Sequence, residues 1–373
     1  MSPLHVAIVA QPKASAGLAR YLVTAFEQAG AEVAVVDAQA SKPFKLWPVL
    51  KSIRLNSDAM WKARWENLIF CAKAWHRNTK RNGHLLGRIQ KPFSILQVGG
   101  IYAPCPEFRQ TDYCVLVCNT TRLSLAERVK PWVPRPEERE PFIALEQEVY
   151  RHARHVFTNA AYVKKHLAEQ YGVRENRMTV TGLGVDRFFL ENVPESVASE
   201  FKFNLLFVGW DFGYKGGQDL LAAFQIVRRS LPELTLTIVG PDSSQVPPCD
   251  GVRLAGTVRS RPDLLEYYRT ADLFVMPSLC DSFGFVFLEA MTQGVPCIGT
   301  DLNAMPEIIA DGETGYVVPL RNPEALADAI LRFYRNPANR QRMGRAARQR
   351  VLERYTWERV VAAMRPHLSA AQN

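Results

Sequence analysis

Along this chain, short β-branched apolar runs alternate with amphipathic stretches of helical period. In the first half the runs that read as strands are His5–Ala10, Glu32–Val36, Ser94–Val98, Tyr113–Val117, Val156–Thr158 and Thr179–Thr181. Helical spacing predicts Ala16–Gln28, a helix within 56–80, Glu138–His152 and Tyr162–Tyr171. The second half repeats the scheme, with strands at Asn204–Val208, Thr235–Val239, Val252–Leu254, Leu273–Met276, Pro296–Gly299 and Tyr316–Val318. Helices are predicted near Gln218–Arg229, Asp263–Thr270, Phe285–Gln293, Pro323–Tyr334, Ala338–Arg354 and Glu358–His367. Near-continuous apolar strands with helices between them predict parallel sheets covered on both faces. The class is therefore α/β, in two doubly wound halves. Ligands of such sheets bind beyond the carboxyl ends of the strands.

A length of 373 residues suits two domains of ordinary size, and the 47% apolar fraction is that of a globular protein. The junction is placed at Gly182–Phe189 and the polar stretch Glu191–Glu200 after it. The expected division is 1–186, 187–355 and a terminal helix, 356–373. The apolar run Val6–Ala10 is too short to span a bilayer and has no cleavage pattern. A cytoplasmic location is expected, with peripheral attachment to the inner face of a membrane as its variant. Seven cysteines, none in a Cys-x-x-Cys pair, read as reduced core thiols. Cys114 and Cys118 with a distant His are the alternative, a metal site, and core packing is the preferred reading.

The net charge of +9 is concentrated in one segment. Residues 42–91 hold twelve Lys and Arg against Asp58 and Glu66, a balance of +10. Trp47, Trp61, Trp65 and Trp75 are interleaved with them. Basic residues among indoles suit an anionic membrane surface or acceptor. The competing reading is a solvated basic helix pair whose Trp side chains pack on the domain core. Nucleic acid is not an expected partner, although the charge alone would suit it.

Two strand ends carry candidate chemistry. The first is Phe207-Val208-Gly209-Trp210-Asp211-Phe212-Gly213-Tyr214-Lys215-Gly216-Gly217, a glycine loop with a Lys just before a helix. A lysine there is a point charge suited to phosphate oxygens. The second is Pro277-Ser278-Leu279-Cys280-Asp281-Ser282-Phe283-Gly284-Phe285-Val286-Phe287-Leu288-Glu289-Ala290-Met291. Its helix start at Phe283-Gly284 can hold a diphosphate on open N–H groups. Glu289, inside that helix, can accept from two ribose hydroxyls. In the first half, Gly17 at a helix start could let the backbone approach a phosphate or sugar; a plain strand-to-helix turn is the other reading. Cys118-Asn119-Thr120-Thr121 is the strand end considered for acceptor contacts.

The second string resembles the acid–seven residues–acid motif of family 4 retaining glycosyltransferases (glycosyl transferases group 1). Their usual form is Pro-Ser-x-x-Glu-x-Phe-Gly-x-x-x-x-Glu-Ala-Met. Asp281 stands where the family has its first Glu, and Glu289 matches the second. In the family's Val-Gly-Arg … Lys-Gly pair, Lys215 matches and Trp210 occupies the Arg position, so Arg259 or Lys13 would have to compensate. The resemblance runs from about Glu146 to Trp357 and includes Gly184-Val185-Asp186 and the helix starting at Thr356-Trp357.

The resemblance implies the GT-B fold: two doubly wound Rossmann-like parallel-sheet domains facing a central cleft, with the acceptor side first and the nucleotide-sugar side second. It implies transfer of a hexose, with retention, from a UDP- or GDP-linked sugar to a hydroxyl of a glycan, lipid-linked sugar or small acceptor. Lys215 would meet the leaving diphosphate and Asp281 would orient sugar hydroxyls. Gly209, Phe283, Gly284 and Glu289 would line the donor site, and backbone near Val258 and Arg259 would read the base. The donor is a co-substrate; no cofactor and no metal are expected. Two alternatives stay open: a phosphorylase or nucleotide-sugar epimerase on the same fold, and a basic membrane or nucleic-acid binding module with a vestigial sugar site.

Overall fold

The computed structural model describes residues 4–10, 16–38, 72–90, 93–100, 102–126, 134–193 and 203–368. The chain forms two compact units: Met1–Gly182 with Val360–Asn373, and Leu183–Arg359. Most of the basic segment, residues 42–71 with Lys91, lies outside the described residues, as does Lys13.

The first unit is built on six parallel strands among the described residues: β1 His5–Ala10, β2 Glu32–Asp37, β3 Ser94–Val98, β4 Tyr113–Val117, β5 His155–Thr158 and β6 Met178–Val180. Their order is β2-β1-β3-β4-β5-β6, parallel at every pairing. Every residue of β3, β4 and β5 is buried, the mark of a sheet covered on both faces. The edge strand β2 has one buried residue, Val36.

Helix Ala72–Leu86 covers part of this sheet, within the range where the sequence predicts a helix but running six residues beyond it. It buries Trp75 against Phe108, ring centroids 5.9 Å apart, and exposes Lys73, Arg77 and Lys80. Trp75 is therefore a core residue and does not belong to a membrane-facing set. That corrects its inclusion among the indoles that suit a lipid surface. The terminal residues pack on the same unit: the His367 ring stacks on His155 at 3.6 Å, and Arg365 donates to the Ala29 carbonyl at 2.8 Å.

The second unit holds six parallel strands among the described residues: β7 Asn204–Val208, β8 Thr235–Val239, β9 Val252–Gly256, β10 Leu273–Val275, β11 Cys297–Thr300 and β12 Gly315–Val318. Their order is β12-β11-β10-β7-β8-β9. The chain thus grows outward from β7 in one direction, then restarts beside β7 with β10 and grows in the other. The crevice beyond the ends of β7 and β10 is the point of reversal, where ligands of such sheets bind.

Local sequence sets the helix starts. Ser260, Asn322 and Asn336 each cap the helix that follows, accepting from the backbone of Asp263, Ala325 and Asn339, and each has a proline in the first turn. A buried ion pair, Arg340 to Asp272 at 2.6 Å, and the bond from Asn204 N to Asp272 at 2.8 Å tie the helix Pro337–Arg354 to the start of β7. Short helices at Thr121–Ala126 and Arg187–Glu191 carry too few residues for their period to show in the sequence.

Candidate active site

The loop leaving β7 runs from Gly209 to Gly216 and enters helix Gly217–Arg228. Asp211 shapes it, accepting from Tyr214 N through its carboxylate at 2.8 Å and from Lys215 N through its carbonyl at 3.1 Å. Gly216 adopts φ +73°, and a Cβ there would lie 1.8 Å from the Pro277 carbonyl oxygen. Glycine is thus needed for the β7 loop to lie against the end of β10. The bond from Leu279 N to the Tyr214 carbonyl, 2.9 Å, fastens the two loops together.

That fastening brings Lys215 to Asp281. The ammonium donates to the carboxylate at 2.7 Å and to the Cys280 carbonyl at 3.2 Å. Both side chains are 15% exposed, so the pair is shielded but reachable. Asp281 also accepts from Phe283 N at 3.2 Å, and its carbonyl accepts from Asn303 Nδ2 at 3.0 Å. The carboxylate is oriented by backbone and cation together. Gly284 follows with φ +81°, where a Cβ would press on Met305 and Phe287 at 2.8 Å. It opens helix Phe285–Thr292, and no side chain caps that helix. A helix start of this kind offers N–H groups and positive potential to an anion.

Glu289 lies in the second turn of that helix. Its carboxylate accepts from the hydroxyl of the fully buried Tyr268 at 2.7 Å. Desolvation, aided by the charge of Asp186, pushes the Glu289 carboxyl up to about 7, against the Tyr268 bond and Arg261. Asp186 caps helix Arg187–Glu191 and pairs with Arg261 at 2.8 Å. Tyr268 and Arg261 escape sequence reading, because only the fold brings the helix Arg261–Arg269 beside Glu289.

The remaining expected donor residues sit as follows. Gly209 follows β7, its N–H donating to the Val239 carbonyl at 3.0 Å. Val258, half-buried, and Arg259, exposed, follow β9. Trp210 is 74% exposed. Lys215, Asp281, Phe283, Gly284 and Glu289 are thus gathered at the reversal point. Gly17 belongs to the first unit, where a Cβ would meet only the Tyr21 ring at 3.6 Å, an ordinary contact that does not require glycine.

In the first unit, Asn119, Thr120 and Thr121 follow β4. Thr120 and Thr121 are buried and Asn119 is half-buried. The Thr120 hydroxyl accepts from Leu123 N at 3.2 Å, and Thr121 N donates to both oxygens of Glu146 at 3.2 Å. Glu146 also accepts from the hydroxyls of Tyr150 at 2.8 Å and Tyr171 at 2.5 Å. Burial raises its pKa in spite of these bonds. This buried carboxylate fixes the loop after β4, and the sequence gives no sign of it, since its partners are 4 and 25 residues away. Burial also pushes the thiol of the neighbouring, half-exposed Cys118 up to about 12, so it stays protonated. Among the described residues no cluster of His, Cys, Asp and Glu is placed to hold a metal ion, and no helix is long and apolar enough to cross a membrane.

Two doubly wound parallel-sheet units with a cation–carboxylate pair at a strand-order reversal define a GT-B fold. The structure of sucrose-phosphate synthase from Thermosynechococcus elongatus has the same fold, with a TM-score of 0.70 at 18% identity over 97% of this chain and 98% of that one. Residues 190–350 match the model of the family Glycosyl transferases group 1. The chain is 30% identical over 262 residues to glycogen synthase of Mycobacterium tuberculosis, covering 67% of this chain and 62% of that protein. It is 31% identical over 247 residues to D-inositol 3-phosphate glycosyltransferase of Paenarthrobacter aurescens, 61% and 60% of the two chains. The chain thus spans about three fifths of the length of these curated relatives.

Proposed function

We propose that the protein is a retaining glycosyltransferase that moves a hexose from a nucleoside diphosphate sugar to a hydroxyl of a glycan, lipid-linked sugar or small acceptor. The observation that carries this reading is the Lys215–Asp281 pair beside an uncapped helix start, with Glu289 in that same helix. The names of two relatives, a glycogen synthase and a D-inositol 3-phosphate glycosyltransferase, support glycosyl transfer.

In this reading the diphosphate lies against Lys215 and the N–H groups at Phe285 and Val286. These positive groups stabilise the charge that builds on the leaving diphosphate, the interaction that most lowers such a barrier. Asp281 takes hydroxyls of the transferred sugar, and Glu289 those of the ribose. The bond from the anomeric carbon to the phosphate oxygen breaks with its electron pair on the diphosphate. The acceptor oxygen bonds the same face of that carbon and passes its proton to the released phosphate. The protein's own cation and helix dipole do the work that a metal ion does in other diphosphate sites.

The test is thermal stabilisation by UDP, GDP, ADP and their common sugars, with Glu289→Ala and Lys215→Ala as controls. A ligand at a hundred times its dissociation constant adds about 2.7 kcal/mol to the native state. Stabilisation by one nucleotide, lost in both variants, supports the reading. Equal stabilisation of wild type and Glu289→Ala sinks it.

A further inference from the structure

Trp210 is the residue on which this chain leaves the Arg-and-Lys pattern its donor loop resembles, and its side chain is 74% exposed. The loop that carries it is firmly held. Gly209 N donates to the Val239 carbonyl at 3.0 Å, Phe212 N to Gln245 Oε1 at 3.2 Å, and Gly217 N to the Phe212 carbonyl at 2.7 Å. Phe212 itself is fully buried. An indole is therefore fixed in solvent by anchored backbone on both sides, at the end of β7, five residues before Lys215. An indole held in solvent at the end of β7 leaves its ring face open to a ligand that binds at the strand-order reversal.

The charged groups at the same end of the sheet narrow the choice of ligand. Lys215 supplies a cation and Asp281 a hydroxyl acceptor, both at the same strand-order reversal. A pyranose presents hydroxyls at its rim and a patch of apolar C–H groups on its face. An indole is complementary to the face, as the carboxylate is to the rim. We infer that Trp210 is a stacking platform for the pyranose ring of the donor, and that it contributes sugar affinity where a second cation would have contributed phosphate affinity. This deepens the glycosyltransferase reading and rests on it.

The test is titration calorimetry of wild type, Trp210→Ala, Trp210→Phe and Trp210→Arg. Each is titrated with UDP, GDP and ADP, and with UDP-glucose, GDP-mannose and ADP-glucose. For the nucleotide that binds, Trp210→Ala should weaken the sugar-bearing ligand about threefold to tenfold, the range of one aromatic contact. The bare nucleotide should bind as in wild type. Trp210→Phe should keep most of the sugar's advantage, and Trp210→Arg should tighten the bare nucleotide. An equal loss for bare and sugar-bearing ligands in Trp210→Ala overturns the proposal in favour of a base or ribose contact. No change for either overturns it outright. A wild type that binds no nucleotide removes the donor-site reading and this inference with it, which separates the two failures.

Discussion

Glu289 lets a binding role be told from a structural one by stability alone. Its carboxyl is pushed up to about 7 by desolvation, from the ordinary 4.5. An acid whose folded pKa is raised binds its proton more tightly in the folded state. Stability is then greatest below the unfolded value and declines as pH rises from 4.5 to 7. One pKa unit corresponds to about 1.36 kcal/mol, so the full shift amounts to ~3 kcal/mol, nearly all of it lost by pH 7.5. Partial exposure of the side chain reduces this to about 2 kcal/mol. Glu289→Gln removes the charge and keeps an oxygen for the Tyr268 hydroxyl.

We therefore expect Glu289→Gln to stabilise the ligand-free protein at pH 8 by about 2 kcal/mol, and by close to nothing at pH 4.5. For a unit of this size that is a rise of roughly 4–8 °C in the transition of the second unit. Paired thermal scans at the two pH values read it directly. The same variant should lose stabilisation by the nucleotide that protects wild type. A variant less stable than wild type at pH 8, or an effect of equal size at both pH values, would refute the reasoning, because Glu289 would then be an ordinary packing partner of Tyr268. A gain in stability coupled to a loss of binding is the signature of a group kept ionised at a cost for the sake of a ligand.

Other perturbations have equally definite outcomes. His155, stacked on His367 and close to Arg154, Arg177 and Lys164, has its pKa lowered from 6.5 to about 4, chiefly by burial. Its contribution is complete above pH 6.5 and is lost as pH falls towards 4, so His155→Gln should flatten the acid limb of a stability profile by up to ~3 kcal/mol. Gly216→Ala places a Cβ on the Pro277 carbonyl at φ +73°; the strain and the contact should cost at least ~2 kcal/mol in denaturant unfolding and abolish nucleotide protection. Asp281→Asn removes the ion pair that orients Lys215, and should lower kcat in a transfer assay. Lys73→Glu with Arg77→Glu reverses two exposed charges on helix Ala72–Leu86; if that face meets an anionic surface, co-sedimentation with phosphatidylserine vesicles at low salt should fall and nucleotide binding should not.

The strands were legible because each is an apolar run bounded by polar or glycine residues. All twelve strands among the described residues lie within two residues of where the pattern puts them. The donor loop and helix start were legible for a related reason: their chemistry is written in consecutive residues, Lys215 before two glycines and Asp281 before Phe283-Gly284. Groups whose meaning depends on a partner far along the chain were not. Glu146 is an acid in an amphipathic helix until the fold puts Thr121 N and the Tyr150 and Tyr171 hydroxyls around it. Trp75 counted with the other indoles of a basic segment until the helix carrying it turned that face to Phe108.

Asp281 shows what such partners change. In the sequence it is a shortened substitute for a glutamate, and the missing methylene reads as a weakened site. In the fold, Gly216 lets the β7 loop close on Pro277, and Lys215 meets the short carboxylate at 2.7 Å. A longer side chain on the same backbone would carry its carboxylate about one bond further out, past the ammonium. The two departures from the family pattern are then consistent with each other. Aspartate keeps the single loop lysine oriented, and with no arginine at 210 that lysine is the cation this loop offers to a diphosphate. On this argument Asp281→Glu, which restores the family residue, should lower nucleotide affinity in this chain, and should recover it when combined with Trp210→Arg. A double-mutant cycle on the dissociation constant of the protecting nucleotide measures that coupling, and strictly additive effects would show that the two positions act independently.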